Sequence, residues 1–266
     1  MSKITNPLEV YKILPKTNCR ECQLPTCLAF AAAVLKQEKE LAHCPYLDPG
    51  VIARLEGRIE KPASMEEIME ETLEKLKQEI RTIDLSSRAE KLGAVMRGEK
   101  LTVKCLGRDF MIDEEGNLAS ECHTHPWFGI PLLNYVLYGA GKKITGDWVP
   151  FRELENGPSW EPLFRQRCEK PMKELADAHT ELFDDLISLF DGMRSANHYG
   201  SDVSVVLYPF PKIPILVSYW KSEGDLASKL NIFYDETAED NLKIESLYTL
   251  GFGLASMFEK IMVKHR

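Results

Sequence analysis

Four cysteines, Cys19, Cys22, Cys27 and Cys44, stand within the first 44 residues in the spacing C-x2-C-x4-C-x16-C. Three of them fall inside the stretch "NCRECQLPTC", residues 18–27. No other feature restricts the fold as much, because thiols crowded this way have few stable fates: bridged, buried or bound to metal. The chain has seven cysteines, an odd number that cannot all pair internally. Its opening stretch, MSKITNPLEVYKILPK, lacks the continuous apolar run of a signal peptide. No segment reaches the ~18 uninterrupted apolar residues expected of a membrane-spanning helix, so no membrane insertion is expected. These features predict a cytoplasmic protein. In that compartment clustered thiols bind metal or do redox chemistry more often than they form structural disulfides.

Cys19 and Cys22 share one turn of loop. Cys27 is followed by LAFAAAVLKQEKEL, an alanine-rich run that predicts a helix, and Cys44 lies just beyond it. Such a loop–helix–return path brings the fourth thiol back toward the first three. A compact loop with small and apolar neighbours suits an iron–sulfur cluster, whose irons are held by thiolates and whose potential is set by burial and amide donors. Other fates stay open at this point. A structural zinc ion also takes four thiolates, although zinc sites usually pair two C-x2–4-C knuckles and only one is present. Buried free thiols and a disulfide framework are further alternatives.

Residues 14–47, LPKTNCRECQLPTCLAFAAAVLKQEKELAHCPYL, resemble the small 4Fe–4S domain at the front of the corrinoid iron–sulfur protein large subunit. They are also similar to the Fe–S module in the B subunit of Rnf-type electron-transport complexes. The likeness rests on the proline and threonine before Cys19, the Pro-Thr before Cys27, the Phe-Ala helix and the closing Cys-Pro. It implies that Cys19, Cys22, Cys27 and Cys44 together bind one 4Fe–4S cluster. One departure stands out. The family usually has glycine directly after the second cysteine, where this chain has Gln23. If that backbone needs positive φ, glutamine is strained there. The stretches GDWVPFRELENG, PLFRQRCEKPM, FPKIPILVSYW and IFYDETAEDNL resemble a domain-of-unknown-function family whose members often carry such a module. No activity follows from that second likeness.

The resemblance to the Fe–S modules implies a soluble electron-transfer protein that delivers electrons through one 4Fe–4S cluster to a redox partner protein or a second cofactor. By likeness to the corrinoid protein, a corrinoid or a corrinoid protein is the implied partner chemistry. Two alternatives remain: an Fe–S-dependent oxidoreductase with its substrate site in the C-terminal domain, and a redox-sensing or structural metal-binding module. The formal charge of −8 argues against nonspecific nucleic-acid binding and against docking on an anionic membrane.

The predicted organisation is α+β: a small N-terminal helical 4Fe–4S domain over residues 1–48, a linker over 49–64, and a larger domain over 65–266 with a mostly antiparallel sheet covered by helices. The stretch 45–64 carries three prolines and two glycines. Ser64 and Glu67 form a capping-box pair ahead of MEEIMEETLEKLKQEI, which is apolar at helical spacing. Asp84 or Ser86 is expected to cap a helix reaching about Met96. LTVKC and RDFMID predict a hairpin turning at Leu106–Gly107, and FGIPLLNYVLYG a buried helix with Pro131 in its first turn. A long helical pattern runs from Ser159 to Gly192, broken near Pro171. DVSVVLYPF, IPILVSYW and KLNIFYD predict three antiparallel strands, and ESLYTLGFGLASMFEKIM a closing helix.

Outside the cysteine cluster, "CHTHPWFG", residues 122–129, offers Cys122, His123 and His125 as candidate ligands or proton relays. His123 and His125 are the best catalytic candidates, since H-x-H on an extended segment points both imidazoles to one side. A solvated loop anchored by Trp127 accounts for them more simply, since no third ligand stands at a clear spacing. Arg165, Arg167 and Lys170 could meet an anionic cofactor or partner, or simply keep a helix soluble. Asp235 and Glu236 could form an acid pair or a strand-end turn. Cys105 alternates with apolar neighbours and is expected in the core. Trp148, Trp160 and Trp220 are expected to pack. No phosphate-binding loop, dinucleotide fingerprint, metalloprotease helix or nucleophile elbow is present.

Overall fold

A computed structural model describes residues 3–55, 57–121, 125–179, 181–196 and 198–264 of the chain. The chain divides into two compact units, Met1–Ile68 and Met69–Arg266.

The first unit is helical. Helix α1, Pro7–Ile13, starts under an Asn6 cap whose side chain accepts from Leu8 N, with proline in its first turn. Helix α2, Cys27–Leu35, starts under Thr26, whose hydroxyl accepts from Ala29 N at 3.0 Å. It is shorter than the sequence pattern suggests, because Gln37 turns left-handed at φ 60° and ends the run. Helix α3, Pro49–Leu55, occupies much of the stretch expected as a linker. Val51, Ile52, Leu55 and Ile59 pack on a small core around Val10, Phe30, Leu35 and Leu41. Turn-forming prolines therefore do not prevent this segment from packing. A parallel bridge between Ile4 and Ile59 ties the start of the unit to its end.

The second unit is built around two antiparallel sheets. Helix α4, Met65–Ile80, starts in the last residues of the first unit and continues into the second; it opens with the predicted capping box: Ser64 N donates to Glu67 Oε2 at 2.6 Å and Glu67 N to Ser64 Oγ at 3.2 Å. Helix α5, Ser86–Leu92, ends on Gly93 at φ 69°. That left-handed residue stops it short of Met96. The freed residues form β1, Val95–Arg97, beside β2, Lys100–Cys105, β3, Arg108–Ile112, and β4, Leu118–Ser120, in the order β1-β2-β3-β4. Leu106 and Gly107 lie at φ 48° and 75°, the pair of positive values that a two-residue hairpin turn requires.

Helix α6, Pro126–Tyr138, starts two residues earlier than predicted. Pro131 therefore sits inside the helix, past its first turn, because His125 rather than a later residue provides the cap. The other sheet takes the order β5-β9-β8-β7-β6. Its strands are β5, Trp148–Pro150, β6, Met193–Arg194, β7, Val203–Phe210, β8, Ile213–Trp220, and β9, Lys229–Asp235. Pro209 lies where the β7–β8 register shifts between Leu207 and Phe210, as its missing N–H requires.

The helical region 157–190 differs from expectation at Pro171. Helix α7, Gly157–Phe164, runs through a π turn at Arg165–Glu169 into α8, Lys170–Ala178. Proline removes one N–H donor, and a wider turn just before it absorbs the missing bond without breaking the helix. The break comes later, at His179, whose backbone is extended, ahead of α9, Leu182–Phe190. The short α10, Ala238–Asn241, leads into α11, Ile244–Lys264. Helix α11 packs on α6, α7 and α8. Leu106 N donates to Tyr208 O at 2.8 Å, which joins the two sheets. One continuous core runs through Ile80, Leu101, Ile112, Tyr135, Phe210, Ile215, Tyr234 and Phe258.

Candidate functional site

Cys19, Cys22, Cys27 and Cys44 all line one small hollow in the first unit, together with Pro15, Asn18, Leu24, Phe30 and Pro45. Each thiol reaches it from a different local device. Cys19 is exposed and Cys22 half-buried, both on the loop before α2. Cys27 is the first residue of α2 and is buried at the capped helix start. Cys44 is buried just after the 3-10 turn Leu41–His43, whose geometry carries the chain back. The alanines of α2 let this return segment come close, as Ala31, Phe30 and Leu41 share the core beneath.

The loop that presents the thiols is held in an unusual backbone. Lys16, Asn18, Arg20 and Gln23 all have positive φ, at 61°, 51°, 68° and 66°. Left-handed backbone costs about 1 kcal/mol or more per non-glycine residue, least for asparagine. Gln23 therefore adopts the conformation that its position after the second cysteine predicted. Two bonds brace the loop: Cys27 N donates to Asn18 Oδ1 at 2.8 Å, and Gln23 N to Arg20 O at 2.8 Å. Beside it the Tyr46 hydroxyl donates to Glu21, and this bond to a carboxylate holds the phenol above its ordinary pKa.

The donor chemistry suits a thiolate-ligated cluster: four sulfur donors, apolar lining from Leu24 and Phe30, and proline on either side. Among the described residues, no three Cys, His, Asp or Glu side chains gather tightly enough to grip one metal ion. The thiols stand around a shared hollow instead.

The other sequence candidates resolve differently. His125 caps α6, its Nδ1 accepting from Trp127 N at 3.3 Å. Cys122 and His123 lie outside the described residues. Asp235 is fully buried, and its carboxylate accepts from Gly146 N at 2.7 Å, Thr145 N at 3.1 Å, Thr237 N at 3.1 Å and Thr237 Oγ1 at 2.6 Å. Burial pushes its pKa up, but the Thr237 hydroxyl and these amides outweigh that and hold it below the ordinary value. Asp235 thus anchors the loop before β5, and Glu236 instead donates its N–H to Asp147 O. Cys105 and Cys168 are buried in the large core, and burial raises both thiol pKa values. Trp160 packs on that core, while Trp148 and Trp220 pack on a second, smaller cluster with Val206, Leu216 and Phe233.

One further region is assembled from segments distant in sequence. A groove of about 640 Å³ in the second unit is lined by the end of β5, α7, the π turn, α8 and the start of β9. Arg165 and Lys170 line it, whereas Arg167 is absent from its lining. The clue in the sequence was the density of basic residues around PLFRQRCEKPM, whose distant groove partners no local pattern reveals.

In comparison with known proteins, residues 84–257 match the family model described as "Domain of unknown function (DUF3786)". Residues 14–46 match the one described as "Putative Fe-S cluster". The acetyl-CoA decarbonylase/synthase complex subunit gamma 2 of Methanosarcina mazei is 33% identical over 233 residues, covering 86% of this chain and 44% of that protein. The subunit gamma 1 of Methanosarcina thermophila is 51% identical over 45 residues, 17% of this chain and 10% of that protein. The corrinoid/iron-sulfur protein large subunit of Moorella thermoacetica is 44% identical over 55 residues, 21% of this chain and 12% of that protein. Even in the long alignment the chain spans less than half of its relative's length. No solved structure matches the chain.

Proposed function

The chain belongs to the DUF3786 family of domains of unknown function and carries an Fe–S family module ahead of that domain; on that premise we propose that it is an electron-transfer protein. In this reading Cys19, Cys22, Cys27 and Cys44 hold one 4Fe–4S cluster, through which electrons pass to a redox partner. The observation that carries it is the convergence of all four thiols on one hollow. A structural zinc ion needs four thiolates drawn to a single point at about 2.3 Å. A cluster offers its thiolates several irons, so thiols set around a hollow suit it better.

Two further observations support the reading. The loop carries four left-handed non-glycine residues, a local cost that a bound cluster offsets. The first unit has only 68 residues, a size at which one apolar core supplies little stability and a metal commonly reinforces the fold. When bound, the cluster supplies reversible one-electron chemistry. The protein's part is to hold the thiolates, keep an apolar wall of Leu24 and Phe30 beside them, and leave the Cys19 side open. That open side is where a partner would approach.

The partner we favour is a corrinoid protein, because the module's relatives include a corrinoid/iron-sulfur protein large subunit. A corrinoid held by this chain itself is a weaker extension of the same idea. The setting is the cytoplasm, where thiols stay reduced. No helix of the described residues is long and apolar enough to cross a membrane.

The test is iron, acid-labile sulfide and zinc analysis after anaerobic purification, with a visible spectrum on the same sample. About four irons and four sulfides per chain, with a band bleached by dithionite, are expected for a 4Fe–4S protein. Stoichiometric zinc without a visible band would remove the proposal. A cluster that dithionite cannot reduce would leave the ligands and remove electron transfer.

A further inference from the structure

The groove in the second unit runs against the charge of the whole chain, which is −8. Its lining includes Arg152, Arg165, Lys170, Lys173 and Lys229. Only two carboxylates, Glu161 and Glu169, line it with them. Three of the cations lean on acids beside the groove: Arg152 on Glu153 at 3.4 Å, Lys170 on Glu174 at 3.9 Å and Lys173 on Asp177 at 2.7 Å. Among the described residues, Arg165 and Lys229 have no carboxylate within salt-bridge distance. Lys229 rests its ammonium over the Trp220 ring, 5.2 Å from the centroid.

Glu169 is already committed to the fold. Its Oε1 accepts from Ile232 N at 3.0 Å and Asn231 Nδ2 at 3.1 Å. Strand β5 pairs with β9 only at Phe233, Tyr234 and Asp235, so the edge of β9 before them is open and Glu169 caps it. Burial raises the Glu169 pKa, against the pull of these donors and of Arg165, which weakens its opposition to an anion.

The π turn makes this arrangement. It sets Arg165, Gln166 and Glu169 on the groove wall while Cys168 enters the core. A π turn within a helix is uncommon and is found often at functional sites. Phe151 and Phe164, buried and stacked with centroids 4.0 Å apart and planes 1° apart, back the groove from the core side. The volume falls within the range of about 300–1,000 Å³ typical of small-molecule sites.

We propose that this groove binds a phosphorylated small molecule, its phosphate held between Arg165 on the π turn and Lys229 on β9. Arg165 and Lys229, which have no carboxylate partner among the described residues, stand on different elements, and the Lys229 ammonium is shared only with the Trp220 ring. A phosphoryl group, with three terminal oxygens and up to two negative charges, offers two such cations more acceptors and more charge than a single carboxylate does. This proposal is independent of the cluster and of electron transfer.

The test is calorimetric titration of the full chain, anaerobically purified, with inorganic pyrophosphate at low ionic strength and citrate as the carboxylate counterpart. Saturable pyrophosphate binding, stronger than that of citrate, is expected. The double variant Arg165→Gln/Lys229→Met should weaken it at least about tenfold, and Lys104→Ala, an exposed change on β2, should leave it unchanged. Both groove side chains are exposed, so the variant should keep its fold, which thermal melting verifies. Should the double variant fail to fold, Arg165→Gln alone is titrated and must show weaker binding. No saturable pyrophosphate binding, or equal binding by the groove variant, would overturn the site. Tighter binding of citrate would overturn the phosphate assignment.

Discussion

The cysteine loop and the sheet domain treat left-handed backbone in opposite ways. Around the thiols it falls to Lys16, Asn18, Arg20 and Gln23. In the second unit it falls mostly to glycine, at Gly93, Gly98, Gly107, Gly116, Gly141, Gly146, Gly200 and Gly224, with Leu106, Asp191 and Tyr199 as exceptions. Glycine adopts such angles at no steric cost. The sheet domain therefore turns its corners with little strain and is held by a large apolar core. The loop carries strain over a small core. What the contrast teaches is that the loop needs more stabilisation than the Asn18 brace and its small core provide. In our reading that is the bond between thiolates and cluster.

The largest test of this contrast is Cys27→Ser. Iron content and visible absorbance should be lost, and the melting transition of the first unit should disappear while that of the second stays in place. Treating the native protein with an iron chelator should do the same. A first unit that melts unchanged without metal would break the comparison.

The next effect lies in the sheet domain. Phe210 is fully buried and stacks on Tyr135 with ring centroids 5.1 Å apart. Phe210→Ala should cost about 3–5 kcal/mol in denaturant unfolding, with the cluster spectrum unchanged. Loss of the spectrum in this variant would show that the two units do not depend on separate forces.

Asp235→Asn comes third, at about 3 kcal/mol near neutral pH, because it removes a charged acceptor from buried backbone amides. Its pH dependence has a definite sign. The folded carboxyl titrates below its ordinary value. Its contribution is therefore complete above the unfolded pKa of ~3.9 and is lost as pH falls through the lower folded value. The wild-type advantage over Asp235→Asn should shrink only in that acidic window. An advantage constant down to the acid transition would mean that the charge does not matter.

The smallest effect sharpens the comparison. Gln23→Gly should stabilise the first unit by about 1 kcal/mol, because glycine relieves the left-handed strain there. The gain is read as a raised melting temperature of that unit with its metal content unchanged. Destabilisation would mean that the Gln23 side chain matters more than its backbone angle.

The sequence by itself determined whatever rests on neighbours in the chain. The four cysteines and their spacing, the Ser64–Glu67 capping box, the Leu106–Gly107 turn and strands β7 to β9 were all legible, since each is a local pattern a few residues long. So was the positive φ at Gln23, through the glycine that usually stands there. Strands β1, β4, β5 and β6 were not legible, because two or three residues have no period to read and form only against a partner strand. Asp235 ends β9, as a strand-end turn implies, but that Thr145 and Gly146 from some 90 residues away donate to it only the fold decided. That His125 caps α6 was likewise settled only by the fold. The groove required tertiary structure most of all. Arg165 and Lys229 are far apart in sequence, and only the packing of the π turn against the open edge of β9 places them on one cavity, since no local propensity encodes which distant strand a helix will cover.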